Sequence, residues 1–174
     1  VMVRSEDAEV DADGVPLTAT QVVAGDGFTC VLLNTGHVKC FGLNDQGQLG
    51  NHSTVDTGNE VDGALLGNEI PLVEMVNSDP ISDVIKIAAG KANACAIISD
   101  GQAYCWGDNT HYQLGADLGG WAYATKAQKV VLPDIHIYDL FLGESHTCAL
   151  VAGGAVKCWG YGAEGALGYE NSDT

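Results

Sequence analysis

Residues Cys30 to Gly50 read CVLLNTGHVKCFGLNDQGQLG. Two cysteines stand ten positions apart, an aromatic residue and a glycine follow the second, and Leu-Gly closes the stretch. The layout returns as CAIISDGQAYCWGDNTHYQLG from Cys95 to Gly115 and as CALVAGGAVKCWGYGAEGALG from Cys148 to Gly168. A glycine lies five residues before the first cysteine of each copy (Gly25, Gly90, Gly143), and another lies six after it (Gly36, Gly101, Gly154). Recurrence in such strict register is an internal repeat, which decides architecture ahead of any local propensity.

Within one copy, Thr29 to Leu33 and Val38 to Phe41 are β-branched and apolar, and Asn34-Thr35-Gly36 lies between them. Two such runs around a short glycine-containing loop predict a β-hairpin. Glycine as the last loop residue suits a type I turn followed by a left-handed position. Ser99-Asp100-Gly101 and Ala152-Gly153-Gly154 occupy the same place in the other copies. Counting outward from the loop sets Cys30 opposite Cys40, Cys95 opposite Cys105 and Cys148 opposite Cys158. Directly opposed residues on antiparallel strands lie about 4.5–5.5 Å apart at Cα, within reach of a disulfide.

Six cysteines alone allow about fifteen connectivities. The repeat favours one cross-strand bridge per copy, each closing a loop whose constraint is worth about 2.5–3 kcal/mol in the chain-entropy account. The alternative is free cysteines packing as small hydrophobes. Zinc fits less well, because the pairs lack C-x-x-C spacing and no histidine recurs beside them.

The pattern G-x-x-x-T-C-x-L…G-x-V-x-C-W-G…G-x-L-G resembles the regulator-of-chromosome-condensation repeat, in its cysteine-paired variant. VAGDGFTCVLLNTGHVKCFGLNDQGQLG and LGESHTCALVAGGAVKCWGYGAEGALG follow it nearly throughout. AAGKANACAIISDGQAYCWGDNTHYQLG departs at Asn93-Ala94, where His-Thr is usual, and at Tyr112, which replaces a glycine. The resemblance implies an all-β protein, a β-propeller whose repeats each supply the antiparallel strands of one blade. Complete members of the family usually close seven blades. Three repeats imply an incomplete or partner-completed ring, with open strand edges that invite pairing unless covered. The organisation expected is an acidic segment with a lead-in strand (1–21), blade cores at 22–50, 86–115 and 139–168, and a tail (169–174). An acidic connector with lead-in strands (51–85) and an aromatic connector (116–138) separate the blades.

The 174 residues carry 23 acidic against 7 basic side chains, a formal charge of −16. Nucleic-acid affinity rests on Lys and Arg neutralising phosphates, so neither nucleic acid nor an anionic membrane surface is an expected partner. The charge suits a basic partner surface or an acidic compartment; the alternative is a charge that only keeps the chain soluble. No run approaches the roughly 20 apolar residues of a membrane span, so direct insertion is not expected. Paired cysteines in every repeat point to an oxidising compartment, such as an organelle lumen (the thylakoid lumen included), the periplasm or the exterior. A cytosolic or nuclear home fits them poorly.

The connectors carry the candidate contacts. Residues 51–85 hold seven acids and no Lys or Arg. The insert at 51–67 is longer than an ordinary connection, and such loops are often functional; Glu60 and Asp62 are its candidate interface residues. Asn51-His52-Ser53 is a glycosylation sequon, relevant on passage through a eukaryotic secretory pathway. Gly119-Gly120-Trp121-Ala122-Tyr123 sets two large aromatics beside flexible glycines. Trp121 and Tyr123 read either as interface anchors or as packing over a blade edge. Asp11-Ala12-Asp13-Gly14 faintly echoes a calcium loop but lacks its later ligands. His136, between Ile135 and Ile137, reads as a structural residue on a strand face. Trp106 and Trp159 share one repeat position and read as blade core.

Neither a Walker loop, a dinucleotide fingerprint, H-E-x-x-H nor G-x-S-x-G occurs. No catalytic residue, metal or cofactor is therefore assigned. The expected function is a non-enzymatic protein-interaction or scaffold module, an accessory subunit docked on a larger, membrane-associated assembly. Two copies closing a ring around a twofold axis are a variant of that expectation. The resemblance implies the alternatives, a GTPase nucleotide-exchange regulator or a secreted enzyme inhibitor.

Overall fold

The computed structural model describes residues 10, 14, 16–58, 70–132 and 135–168. The described residues fold into three antiparallel sheets. The first has the order β1 (Ala19–Ala24), β2 (Phe28–Leu33), β3 (Val38–Gly42). The second has four strands, β4 (Val84–Ala89), β5 (Asn93–Ile98), β6 (Ala103–Asp108) and β7 (Tyr123–Lys129), and the third is β8 (Ile137–Leu142), β9 (His146–Val151), β10 (Val156–Gly160). The sheets stand side by side as blades of an open propeller arc, with β1, β4 and β8 innermost.

The central hairpins follow from local chemistry. Leu33 donates its N–H to the His37 carbonyl, and Gly36 to the Leu33 carbonyl, both at 2.9 Å. Gly36, Gly101 and Gly154 take φ of +76°, +85° and +80°, a left-handed conformation that costs glycine nothing. The register places Cys30 on Cys40, Cys95 on Cys105 and Cys148 on Cys158, and each pair is a disulfide with Cα atoms 4.1 Å apart. The three bridges fit the cysteine-paired variant of the repeat.

Each of the first two blades buries one face on the next. Cys30, Cys40 and Leu32 pack with Ile87, Ala96 and Trp106 of the second blade. Cys95, Cys105 and Ile97 pack with Leu140, Ala149 and Val151 of the third. Trp106 is fully buried and donates its indole N–H back to the Gln48 carbonyl at 2.9 Å. Trp159 repeats the bond to the Gln113 carbonyl at 2.9 Å. The ring needs a glycine beneath it: a Cβ on Gly50 would lie 2.9 Å from Trp106, and one on Gly115 2.6 Å from Trp159. On the innermost strands Gln21 brackets the Ile87 backbone, accepting from its N–H and donating to its carbonyl. Lys86 pairs with Asp139 at 2.8 Å across the next seam.

Three features depart from the linear reading. The stretch read as an aromatic connector contains β7, because Tyr123 to Lys129 adds an outermost strand to β6. In the first blade that outer strand is split. Thr57 bridges Gly42 and Leu72 bridges Lys39, so the long insert leaves from the middle of the outer edge rather than from between blades. His136 precedes β8 and is exposed; its ring lies 4.7 Å from that of Tyr138. Asp11 to Asp13, Glu60 and Asp62 lie outside the described residues. Among the described residues no helix is long and apolar enough to cross a membrane.

Candidate protein-binding groove

The loop that follows β6 is held from beneath by Asn109. Its backbone N–H donates to the Ala122 carbonyl at 2.7 Å. Its side-chain Nδ2 donates to the Trp121 carbonyl at 3.4 Å, and its Oδ1 accepts from Leu114 N–H at 3.1 Å. Asp117 Oδ1 accepts from Gly119 N–H at 3.0 Å, which turns the chain, and Trp121 N–H closes on the Leu118 carbonyl at 3.3 Å. Gly119 and Gly120 carry the tight bend at φ +61° and +92°. One polar residue at the end of β6 thus fixes both ends of an otherwise glycine-rich loop.

Pinned in this way, the loop holds its aromatics outward. Trp121 is 71% exposed and Tyr123 37%, so Trp121 does not pack over the blade edge. They share a groove of about 600 Å³ with Leu118 and Asp117 of the same loop and with Val76 and His52 from the first connector. The connector is bound to the second blade: His52 N–H donates to the Thr125 carbonyl at 2.9 Å, and Ala127 N–H to the Glu74 carbonyl at 2.7 Å. Lys126, also on the lining, is spoken for. Its Nζ donates to Ser78 Oγ at 2.6 Å and lies 3.3 Å from Glu74. Asn51 begins the connector half-buried, its Oδ1 accepting from Asn44 Nδ2 at 3.2 Å.

Sequence reasoning singled out Trp121 and Tyr123 but missed Val76, His52 and Asp117. Composition and spacing carry no mark that segments so far apart in sequence share a wall. A second cavity, of about 560 Å³, lies beside the Gly101 turn, with Leu132, Ile135 and His136 on its lining; it borders residues that are not described. Among the described residues no group of three or more His, Cys, Asp or Glu could hold a metal ion.

The model of the "Regulator of chromosome condensation (RCC1) repeat" matches residues 19–48, 84–113 and 137–166. Each match opens at the innermost strand of a blade and ends in the loop behind its third strand. The chain belongs to the RCC1 repeat family. It is 28% identical over 171 residues to the human protein named "Regulator of chromosome condensation", covering 97% of this chain and 36% of that one. It is 33% identical over 87 residues to the Arabidopsis thaliana "RCC1 domain-containing protein RUG3, mitochondrial", covering 49% of this chain and 19% of that one. Among solved structures, Prp20p from Saccharomyces cerevisiae, described with its binding properties to Gsp1p and histones, superposes with a TM-score of 0.64 at 25% identity. That match covers 83% of this chain and 31% of Prp20p. The RCC1-repeat chain thus spans about a third or less of each of these relatives.

Proposed function

We propose that this RCC1-repeat chain is a non-enzymatic protein-interaction module, an accessory subunit that docks on a larger assembly through the Trp121 groove. The observation that carries the reading is Trp121 itself. A tryptophan held 71% exposed on a loop pinned by Asn109 forgoes burial worth a few kcal/mol and matches the aromatic anchors that dominate protein interfaces. Glu60 and Asp62, which the sequence singles out, are proposed as further contact residues. The three disulfides support a home on an oxidising side of a membrane, and Asn51 would carry a glycan there only in a eukaryotic secretory route. The mitochondrial relative leaves organelles in scope.

The test is purification of the native protein without reductant, with mass spectrometry of the thiols and of what accompanies it, repeated with Trp121→Ala. A stoichiometric partner that depends on Trp121, with all cysteines blocked, is the expected result. Light scattering on the pure protein separates a partner-bound subunit from a self-completed pair of arcs. The rival reading, a GTPase exchange regulator, draws on Prp20p and its binding to Gsp1p. Free thiols, and a GTPase whose nucleotide release the protein accelerates, would replace the first reading with that one.

A further inference from the structure

We infer that the Trp121 groove takes a single cationic side chain, a lysine or arginine, presented by an extended basic segment of the partner. This inference deepens the interaction reading above and rests on it. Aromatic faces attract cations through their quadrupole within about 6 Å of the ring centre, and Trp121 and Tyr123 offer two on one lining. Asp117 stands on the same lining. Its Oδ1 is used to shape the turn, and among the described residues it forms no ion pair. The carboxylate therefore retains its charge for a ligand.

Among the described residues the basic side chains on the lining are His52 and Lys126. Lys126 is committed to Glu74 and Ser78, with only 12% of its side chain exposed. An acidic occupant would meet Asp117 and the field of a chain carrying −16. A purely apolar one would leave the Asp117 charge desolvated without a partner, which costs free energy. A basic segment satisfies both, and the long-range field steers it inward. The Trp121 indole N–H has no acceptor among the described residues, whereas those of Trp106 and Trp159 are held by carbonyls.

That contrast supplies the experiment. The indole N–H signals of the full chain are followed by heteronuclear NMR, with Trp121 assigned by Trp121→Phe. The protein is titrated with a blocked Gly/Ser hexapeptide bearing one central arginine, and with its twin bearing norleucine. The arginine peptide is expected to move the Trp121 signal saturably and leave those of Trp106 and Trp159 in place. Norleucine should weaken binding about tenfold, the loss of one cation–π contact and one charge-assisted bond. Asp117→Asn keeps the oxygen that accepts from Gly119; it should weaken the arginine peptide about fivefold and flatten its salt dependence. Equal titration by the two peptides, unchanged affinity in Asp117→Asn, or a Trp121 signal that the arginine peptide does not move would each overturn the inference. In those cases a native partner still lost on Trp121→Ala leaves the interaction reading standing, whereas recovery indifferent to Trp121 removes that reading as well.

Discussion

Trp106 and Trp121 are the same residue type in opposite roles. Trp106 is fully buried and hydrogen-bonded across a blade seam. Trp106→Phe removes the donor and leaves the Gln48 carbonyl unsatisfied, so urea denaturation should show a loss of about 1–3 kcal/mol. The first blade carries Phe41 at this position, where a Cβ on Gly58 of the connector would lie 3.3 Å from it. Trp121→Ala should leave stability within about 0.5 kcal/mol and weaken partner binding by about 2 kcal/mol, read by calorimetry on the purified complex. Gly107 marks a third kind of position. It sits at φ +97°, and a Cβ there would come to 2.4 Å from the Ala92 carbonyl oxygen. Gly107→Ala should therefore lower stability by about 3 kcal/mol. The repeat spelling announced Trp106 and Gly107, since both recur in register. Trp121 occurs once, and only its exposure in the folded chain set aside the reading that it packs over a blade edge.

At the scale of elements, the hairpins were legible because two facing strands and a short turn obey local arithmetic. The disulfides differ in what covers them. Cys30, Cys40, Cys95 and Cys105 are fully buried by the following blade, whereas Cys148 and Cys158 are only half-buried on the last described face. In the 174-residue chain, limited reductant followed by iodoacetamide should label Cys148 and Cys158 first, as peptide masses would show. Labelling of all three pairs at one rate would mean that opening is global. Cys95→Ala with Cys105→Ala should reduce stability by about 2–4 kcal/mol. The outermost strands were much less legible. Tyr123 to Lys129 mixes small, charged and polar residues, and it becomes a strand because β6 offers an open edge. In the first blade the same edge is met by Thr57 and Leu72, on either side of the insert.

Across the whole molecule, the loops that enter β2, β5 and β9 gather at one end of the arc. There Asp26 N–H donates to the Lys91 carbonyl at 2.9 Å, and Lys91 Nζ pairs with Glu144 of the third blade. The hydrogen bond and charge of Lys91 hold the Glu144 carboxyl below its ordinary value, and Glu144 raises Lys91 above its own. A depressed carboxylate stabilises the fold above its unfolded pKa and loses that contribution as pH falls through the folded one. A raised ammonium stabilises below its unfolded pKa and loses it as pH climbs through the folded one. This surface pair therefore contributes fully between the unfolded pKa of a glutamate and that of a lysine, and its contribution is lost in acid below that window and in strong alkali above it. Carboxyl NMR titration should place the Glu144 midpoint below that of an isolated glutamate, and Lys91→Met should return it upward; an unmoved midpoint would show that the pair is not formed in solution. Both charges are exposed, so added salt should shrink the shift.

The sequence by itself determined the repeat, the hairpins, the cysteine register and the all-β class. Each of these follows from spacing within some 20 residues, where hydrogen-bond arithmetic and glycine's left-handed conformation leave little choice. Only the tertiary structure decided which tryptophan is seam and which is surface, where the insert leaves the first blade, and that His52, Val76, Asp117 and Trp121 line one groove. Those outcomes depend on how blades pack face to face across large sequence separations, and burial by a neighbouring blade leaves no periodic trace in the loops it brings together.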